Sequence, residues 1–219
     1  MKAVITGANR GIGLEFCRQL AQRGDEVIAV CRKASPELSQ LGVTIIDAID
    51  VATEQGVLAL QEKLKGQKID LLINNAGILR SSTLDNLNID AIREQFEVNA
   101  LGPLRITAAL VDNLPKGSKV GIVTSRMGSV DDNSSGGTYG YRMSKAAVNI
   151  AGKSLAIDLE PNGVSIALLH PGYVRTDMTG NSGLIDADES ARGLIAIMDN
   201  LGLETSGRFW HTNGEELPW

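Results

Sequence analysis

The sequence predicts an α/β fold, a doubly wound parallel sheet with helices on both faces. Three observations lead there: short β-branched runs that are apolar nearly throughout, segments of helical length between them, and a glycine-rich turn directly after the first run. Strands buried on both faces lose the polar alternation of a half-exposed sheet and read as continuous apolar runs. Their alternation with helices implies crossover connections and parallel pairing. At 219 residues with 43% hydrophobic content, the chain suits one well-buried core, so a single domain spanning 1–219 is expected.

The first run, residues 3–6, ends at Thr6 and gives way to the glycine turn. A helix follows from near Gly11, with Leu14, Cys17, Leu20 and Ala21 on one face. Further strands are expected at 26–30, 43–46, 69–73, 119–124 and 164–169, the last running into His170, which reads as a satisfied core residue. The strongest helix covers 141–159, where Val148, Ala151, Leu155 and Ile157 mark an apolar face in a small-residue background. Before it, residues 128–140, GSVDDNSSGGTYG, form a Gly/Ser loop placed to wall a site. A helix near Ala187 and a last strand within GRFWHTNGEELPW, followed by an aromatic-bearing tail, close the pattern. Trp210 reads as core, and Trp219 as a residue bordering the site or a subunit contact.

A net charge of −5 with no run of Lys and Arg gives no footprint for nucleic acid or an anionic membrane surface. No apolar segment approaches the ~20 residues that span a bilayer. Two cysteines, Cys17 and Cys31, and no signal-peptide pattern point to a reducing, cytoplasmic setting. His170 and His211 stand apart with no Cys or carboxylate cluster at ligand spacing, so no metal is expected.

The glycine turn reads Gly7-Ala8-Asn9-Arg10-Gly11-Ile12-Gly13. Strand, glycine turn and helix together form the unit in which helix-terminal N–H groups and the dipole receive a phosphate. Gly7 permits the tight turn, Gly11 lets a pyrophosphate approach the backbone, and Gly13 lets helix and sheet pack closely. This makes the fold Rossmann-like and the ligand a dinucleotide. The second strand ends at Cys31-Arg32-Lys33, where an NAD-binding chain would carry a carboxylate for the ribose 2′-hydroxyl. Arg32 offers a 2′-phosphate a fork of donors, and Arg10 approaches from the other side, which favours NADP(H) over NAD(H). Asp50, with Val51 beside it, is placed to accept a hydrogen bond from the adenine amino group.

YRMSK sets Tyr141 and Lys145 four apart on one helix face, and Ser125 ends the strand KVGIVTS. Carbonyl reduction needs a proton for the developing alkoxide, and a free phenol with pKa near about 10 is a poor donor at neutral pH. A neighbouring ammonium is expected to pull that pKa down, and a second hydroxyl stabilises the developing charge. Tyr139 has Met143 four residues on and lacks such an ammonium.

In order along the chain, the glycine turn, Asn74-Asn75-Ala76-Gly77, Asn99, Ser125, Tyr141, Lys145 and Pro171-Gly172 resemble the short-chain dehydrogenase/reductase family. SRMGS, GYRMSK, PGYVRTDM and the GEELPW ending resemble its C-factor and sniffer-like carbonyl reductase subgroup. The resemblance implies Tyr141 as general acid/base, Lys145 on the nicotinamide ribose, Ser125 on the substrate oxygen, and Asn99 holding a relay water. It also implies that Asn9 and Ile12 of the turn, residues 74–77, and Pro171, Gly172, Val174 and Thr176 line the cofactor, with Asn75 chiefly bracing the sheet. Met127 and Tyr173 are expected beside Ser125 in a pocket for a small carbonyl or alcohol substrate, and pairing as a homodimer through the Tyr141 helix follows by analogy. Fifteen residues separate Ser125 from Tyr141, more than is usual there, so the loop reshapes one pocket wall. A short lid after Thr176 implies an open site. The rival reading is a C-factor-like regulatory protein in which NADP(H) occupancy matters rather than turnover. An extended-fold epimerase or dehydratase lacks the length for a substrate domain.

Overall fold

The computed structural model describes residues 1–219. The chain runs β1 (Lys2–Thr6), α1 (Gly11–Gln22), β2 (Glu26–Val30), α2 (Pro36–Ser39), β3 (Thr44–Ile46), α3 (Glu54–Lys63) and β4 (Leu71–Asn74). It continues through α4 (Ile89–Phe96), α5 (Gly102–Ala109), β5 (Lys119–Val123), α6 (Tyr139–Leu159), β6 (Ser165–His170), α7 (Ala187–Asn200) and β7 (Arg208–His211). All seven strands join one parallel sheet in the order β3-β2-β1-β4-β5-β6-β7. The order reverses between β1 and β4, and ligands of such sheets sit outside the carboxyl ends of the strands at that reversal.

Each strand sends alternate side chains to opposite faces, and both faces are covered. Val4, Leu72, Val120, Ile122 and Leu168 pack with Leu60 of α3, Ile106 of α5 and Val148 of α6. Ala3, Ile5, Ile73, Val123 and Leu169 pack with Phe16 and Leu20 of α1, Leu38 of α2 and Leu194 of α7. The doubly wound reading therefore holds, and Cys17 lies in the second of these layers. No helix is long and apolar enough to cross a membrane.

Ile157, expected on the apolar face of the long helix, is 60% exposed, because α6 turns Val148, Ala156 and Leu159 inward. His170 is buried as expected but not satisfied: its Nδ1 has no hydrogen-bond partner, and the ring meets His211 edge-on at 4.9 Å. Burial, then the neighbouring His211, pushes its pKa down to about 3, so this imidazole stays neutral at ordinary pH. Trp210 is only half-buried, and its indole nitrogen is likewise without a partner.

Candidate active site

The glycine turn lines a cleft of ≈ 550 Å³ at the sheet reversal. Gly7 has φ +65°, and a Cβ there would come within 2.8 Å of Ala76 Cα. A Cβ at Gly13 would stand 2.2 Å from the Gly7 oxygen, so helix and turn touch through backbone alone. Asn75 closes this junction: its Nδ2 donates to the oxygens of Thr6 (3.0 Å) and Gly7 (3.2 Å). The Thr6 hydroxyl in turn accepts from the Asn75 and Ala76 amides at 3.0 and 3.1 Å.

The N-terminus of α1 carries neither a side-chain cap nor an acidic residue in its first turn. Its unpaired N–H groups face a cleft whose wall also includes Asn9, Arg10, Arg32 and Lys33. This donor set suits the phosphates of a dinucleotide. Asp50 and Val51 also line the cleft, with one Asp50 carboxylate oxygen accepting from Ala52 N at 3.0 Å. Asn75, Ala76, Gly77 and Thr176 also reach the wall.

The structure does not bring every expected residue there. Asn74 is the last residue of β4 and donates to Thr107 Oγ1 at 3.0 Å inside the protein, so it braces α5 rather than lining the cleft. Val174 is buried and bridged to Ile185, and the Pro171 oxygen accepts from Ser190 Oγ at 2.7 Å, so the segment leading to Thr176 is held against α7. Arg10, expected to meet a phosphate, does line the cleft, and its exposed guanidinium also pairs with Asp177 at 3.1 Å. Asp177 carries no sequence signal for that role; only folding brings the 177 turn over the glycine loop.

Beyond Gly77 the cleft leads to the predicted catalytic group. A Cβ on Gly77 would lie 3.3 Å from Asn99 Oδ1 and 3.8 Å from Lys145 Nζ. Tyr141 and Lys145 are both buried, on the first turns of α6, and the ammonium sits 5.6 Å from the phenol ring centre. Lys145 Nζ donates to the Val123 oxygen at 2.9 Å, fixing α6 to the end of β5. Ser125 follows β5 and is also buried, and its hydroxyl accepts from Met127 N at 3.1 Å. Met127 is half-buried beside it, whereas Tyr173 is 52% exposed.

Protonation runs against one expectation. Burial pushes the Tyr141 phenol up to about 12, with the Ser125 hydroxyl pulling back, and pushes Lys145 down to about 8. Desolvation disfavours both charged forms, and only the Ser125 hydroxyl works against it at the phenol, so the expected lowering of the phenol is not what this geometry produces. At neutral pH the site holds a phenol and an ammonium.

Asn99 lies in a π-helical turn, Glu97–Leu101, inserted between α4 and α5, a local widening frequent at functional sites. Its amide exchanges two 2.8 Å hydrogen bonds with the main chain of Ile78 and donates to Ser144 Oγ at 3.0 Å. The side chain thus ties the segment after β4 to α6. Ser144 is a partner that sequence reasoning missed, although its place inside YRMSK was the available signal.

Residues 1–184 match the short chain dehydrogenase family. The chain is 45% identical over 222 residues to 1-hydroxy-2-glutathionyl-2-methyl-3-butene dehydrogenase of Rhodococcus sp. (strain AD45), covering 99% of this chain and 98% of that protein. It is 46% identical over 154 residues to the C-signal protein of Myxococcus xanthus, covering 69% of this chain and 93% of the other. Among solved structures, the NADPH-bound carbonyl reductase from chicken fatty liver superposes with a TM-score of 0.89 at 29% identity, over 100% of this chain and 98% of that one. With the fold, the glycine turn and the Ser125, Tyr141 and Lys145 constellation in place, these similarities establish that the chain belongs to the short chain dehydrogenase family.

Proposed function

We propose that the protein is an NADP(H)-dependent carbonyl reductase that also runs the reverse alcohol oxidation. The observation that carries this reading is the meeting of Tyr141, Ser125 and Lys145 beside Gly77 of a cleft that also presents an uncapped helix terminus with Arg10 and Arg32. NADP(H) would lie along that cleft, held by the α1 terminus, Arg32, Asp50 and Thr176, and would supply or accept the hydride. Ser125 orients the substrate oxygen, and Tyr141 gives that oxygen its proton as negative charge develops. Lys145 holds positive charge beside the phenol that loses the proton, and Asn99 keeps Lys145 and the post-β4 segment in register.

The relatives' names support the substrate class: one oxidises an alcohol bearing a glutathionyl group, and another is a carbonyl reductase. We read this chain's substrate as a small carbonyl or alcohol, with Met127 and Tyr173 at the pocket edge. The buried free thiols of Cys17 and Cys31 suit a reducing, cytoplasmic setting. Assembly as a homodimer through the outer face of α6 completes the proposal.

The test is a titration with NADPH and NADH, then a panel of aldehydes, ketones, quinones and a glutathione-conjugated alcohol, followed by nicotinamide absorbance. Tighter NADPH binding and carbonyl-dependent oxidation that falls by about 10³-fold or more in Tyr141→Phe would support the reading. NADPH binding without turnover on any panel member would instead favour the occupancy-driven regulatory role suggested by the C-signal relative.

A further inference from the structure

We propose that Trp219 is a specificity-determining positioning residue, anchoring the loop between Ser125 and Tyr141 and thereby setting which carbonyl compounds the site accepts. The proposal rests on the carbonyl reductase reading above. Residues 129–138 connect the two hydroxyl-bearing segments, and Val130 at the start of the loop is 78% exposed. Most of its restraints are local. Arg126 Nε donates to Asp132 at 2.6 Å, and Asp132 N donates to Ser129 Oγ at 3.1 Å. Arg142, next to Tyr141, donates to Ser135 Oγ at 2.8 Å and to the Gly136 oxygen at 3.2 Å. These bonds stiffen the loop within itself and against its own stem but do not fix it to the sheet.

The bond from Asp131 N to a main-chain oxygen of Trp219, 3.1 Å, does that. Trp219 is itself held. The tail doubles back along β7, with His211 N donating to the Glu215 oxygen (2.8 Å) and Leu217 N to the Phe209 oxygen (2.7 Å). Leu217 is 5% exposed in the core layer beneath, and the Trp219 ring stacks on fully buried Phe209 with centroids 5.6 Å apart and planes at 23°. The indole holds the tail on the sheet through a fully buried aromatic, and the tail holds the loop. Because the same loop leads directly from Ser125 to Tyr141, its placement sets the room beside the reacting oxygen without touching the cofactor cleft.

The experiment compares wild type, Trp219→Ala and Trp219→Phe by hydrogen exchange at residues 129–138, by NADPH affinity, and by kcat and KM on one small and one bulky carbonyl. In Trp219→Ala we expect faster exchange in the loop, NADPH affinity within about twofold of wild type, and a bulky-to-small ratio of kcat/KM changed by about fivefold or more, chiefly through KM. Trp219→Phe, which keeps a stacking ring, should restore the ratio. Unchanged exchange in the loop would overturn the anchor, and faster exchange with an unchanged ratio would overturn the role in specificity. If wild type turns over no carbonyl, the specificity claim falls with the reading beneath it, while the exchange measurement still decides the anchor.

Discussion

Lys145 holds its charge in a place that resists it. Burial brings its pKa down to about 8 while taking Tyr141 up to about 12, so below about 8 the pair is ammonium and phenol. As pH rises through that value the lysine becomes neutral, and the phenol loses the positive charge that assists its proton transfer. Carbonyl reduction should therefore be level at neutral pH and fall above about 8, approaching tenfold per pH unit. The check is kcat/KM against pH in wild type and Lys145→Arg, whose guanidinium does not titrate in this range and should move the break upward. A break unmoved in Lys145→Arg would assign it to another group. Ser125, Tyr141 and Lys145 were legible in the sequence because their chemistry is local: a phenol and an ammonium four apart on a helix, and a hydroxyl at a strand end. The direction of the shifts was not legible, since it depends on how completely α6 and β5 exclude water. Nor was the engagement of Arg10 by Asp177, which requires two loops distant in sequence to meet.

The junction of β1 and α1 is built so tightly that its tolerance can be stated in advance. Alanine at Gly13 would place its methyl 2.2 Å from the Gly7 oxygen, which is backbone, and 2.6 Å from Asn75 Nδ2, which is pinned by its bonds to the Thr6 and Gly7 oxygens. The helix must then back away from the turn, at a cost of about 3 kcal/mol. In a chain of this size that lowers the melting temperature by about 6–12 °C. Because the retreating helix takes its terminal N–H groups with it, NADPH affinity should fall by about tenfold or more. Thermal melts and NADPH titration of Gly13→Ala measure both, and a variant with unchanged melting and binding would refute the close-packing role. This element was readable because glycine spacing encodes backbone approach directly. The π turn at Glu97–Leu101 was not, since widening of a helix by one residue leaves no compositional mark. The same limit explains Asn74: NNAG marks a strand end, but which asparagine faces the cleft depends on the register of β4 against β5 and on Thr107 of α5.

At the scale of the molecule, apolar strands alternating with helices gave the parallel, doubly covered sheet, while the strand order emerged only in three dimensions. Local runs do not say which strands are neighbours. The outer surface of α6 raises the remaining question of assembly. Met143, Ile150 and Ile157 recur every seven residues, a spacing that drifts by only about 20° per step around a helix, so they form one stripe. They are 49%, 66% and 60% exposed, and Leu104 on adjacent α5 is 36% exposed. A monomer would leave this line on the helix that carries Tyr141 and Lys145 in water, whereas a second copy would bury it in a self-complementary contact. A dimer would also hold α6 from outside, where its inner face already fixes Lys145 to β5. Sedimentation should therefore give a mass near twice 23.3 kDa for the wild-type chain. Ile150→Lys with Ile157→Lys should give the single-chain mass, because two ammonium groups on each face would have to be desolvated unpaired. NADPH binding should survive in that variant, since neither residue lines the cleft. A wild-type chain that sediments as a monomer would rule out the pairing, and a charged variant that stays dimeric would move the contact to another face.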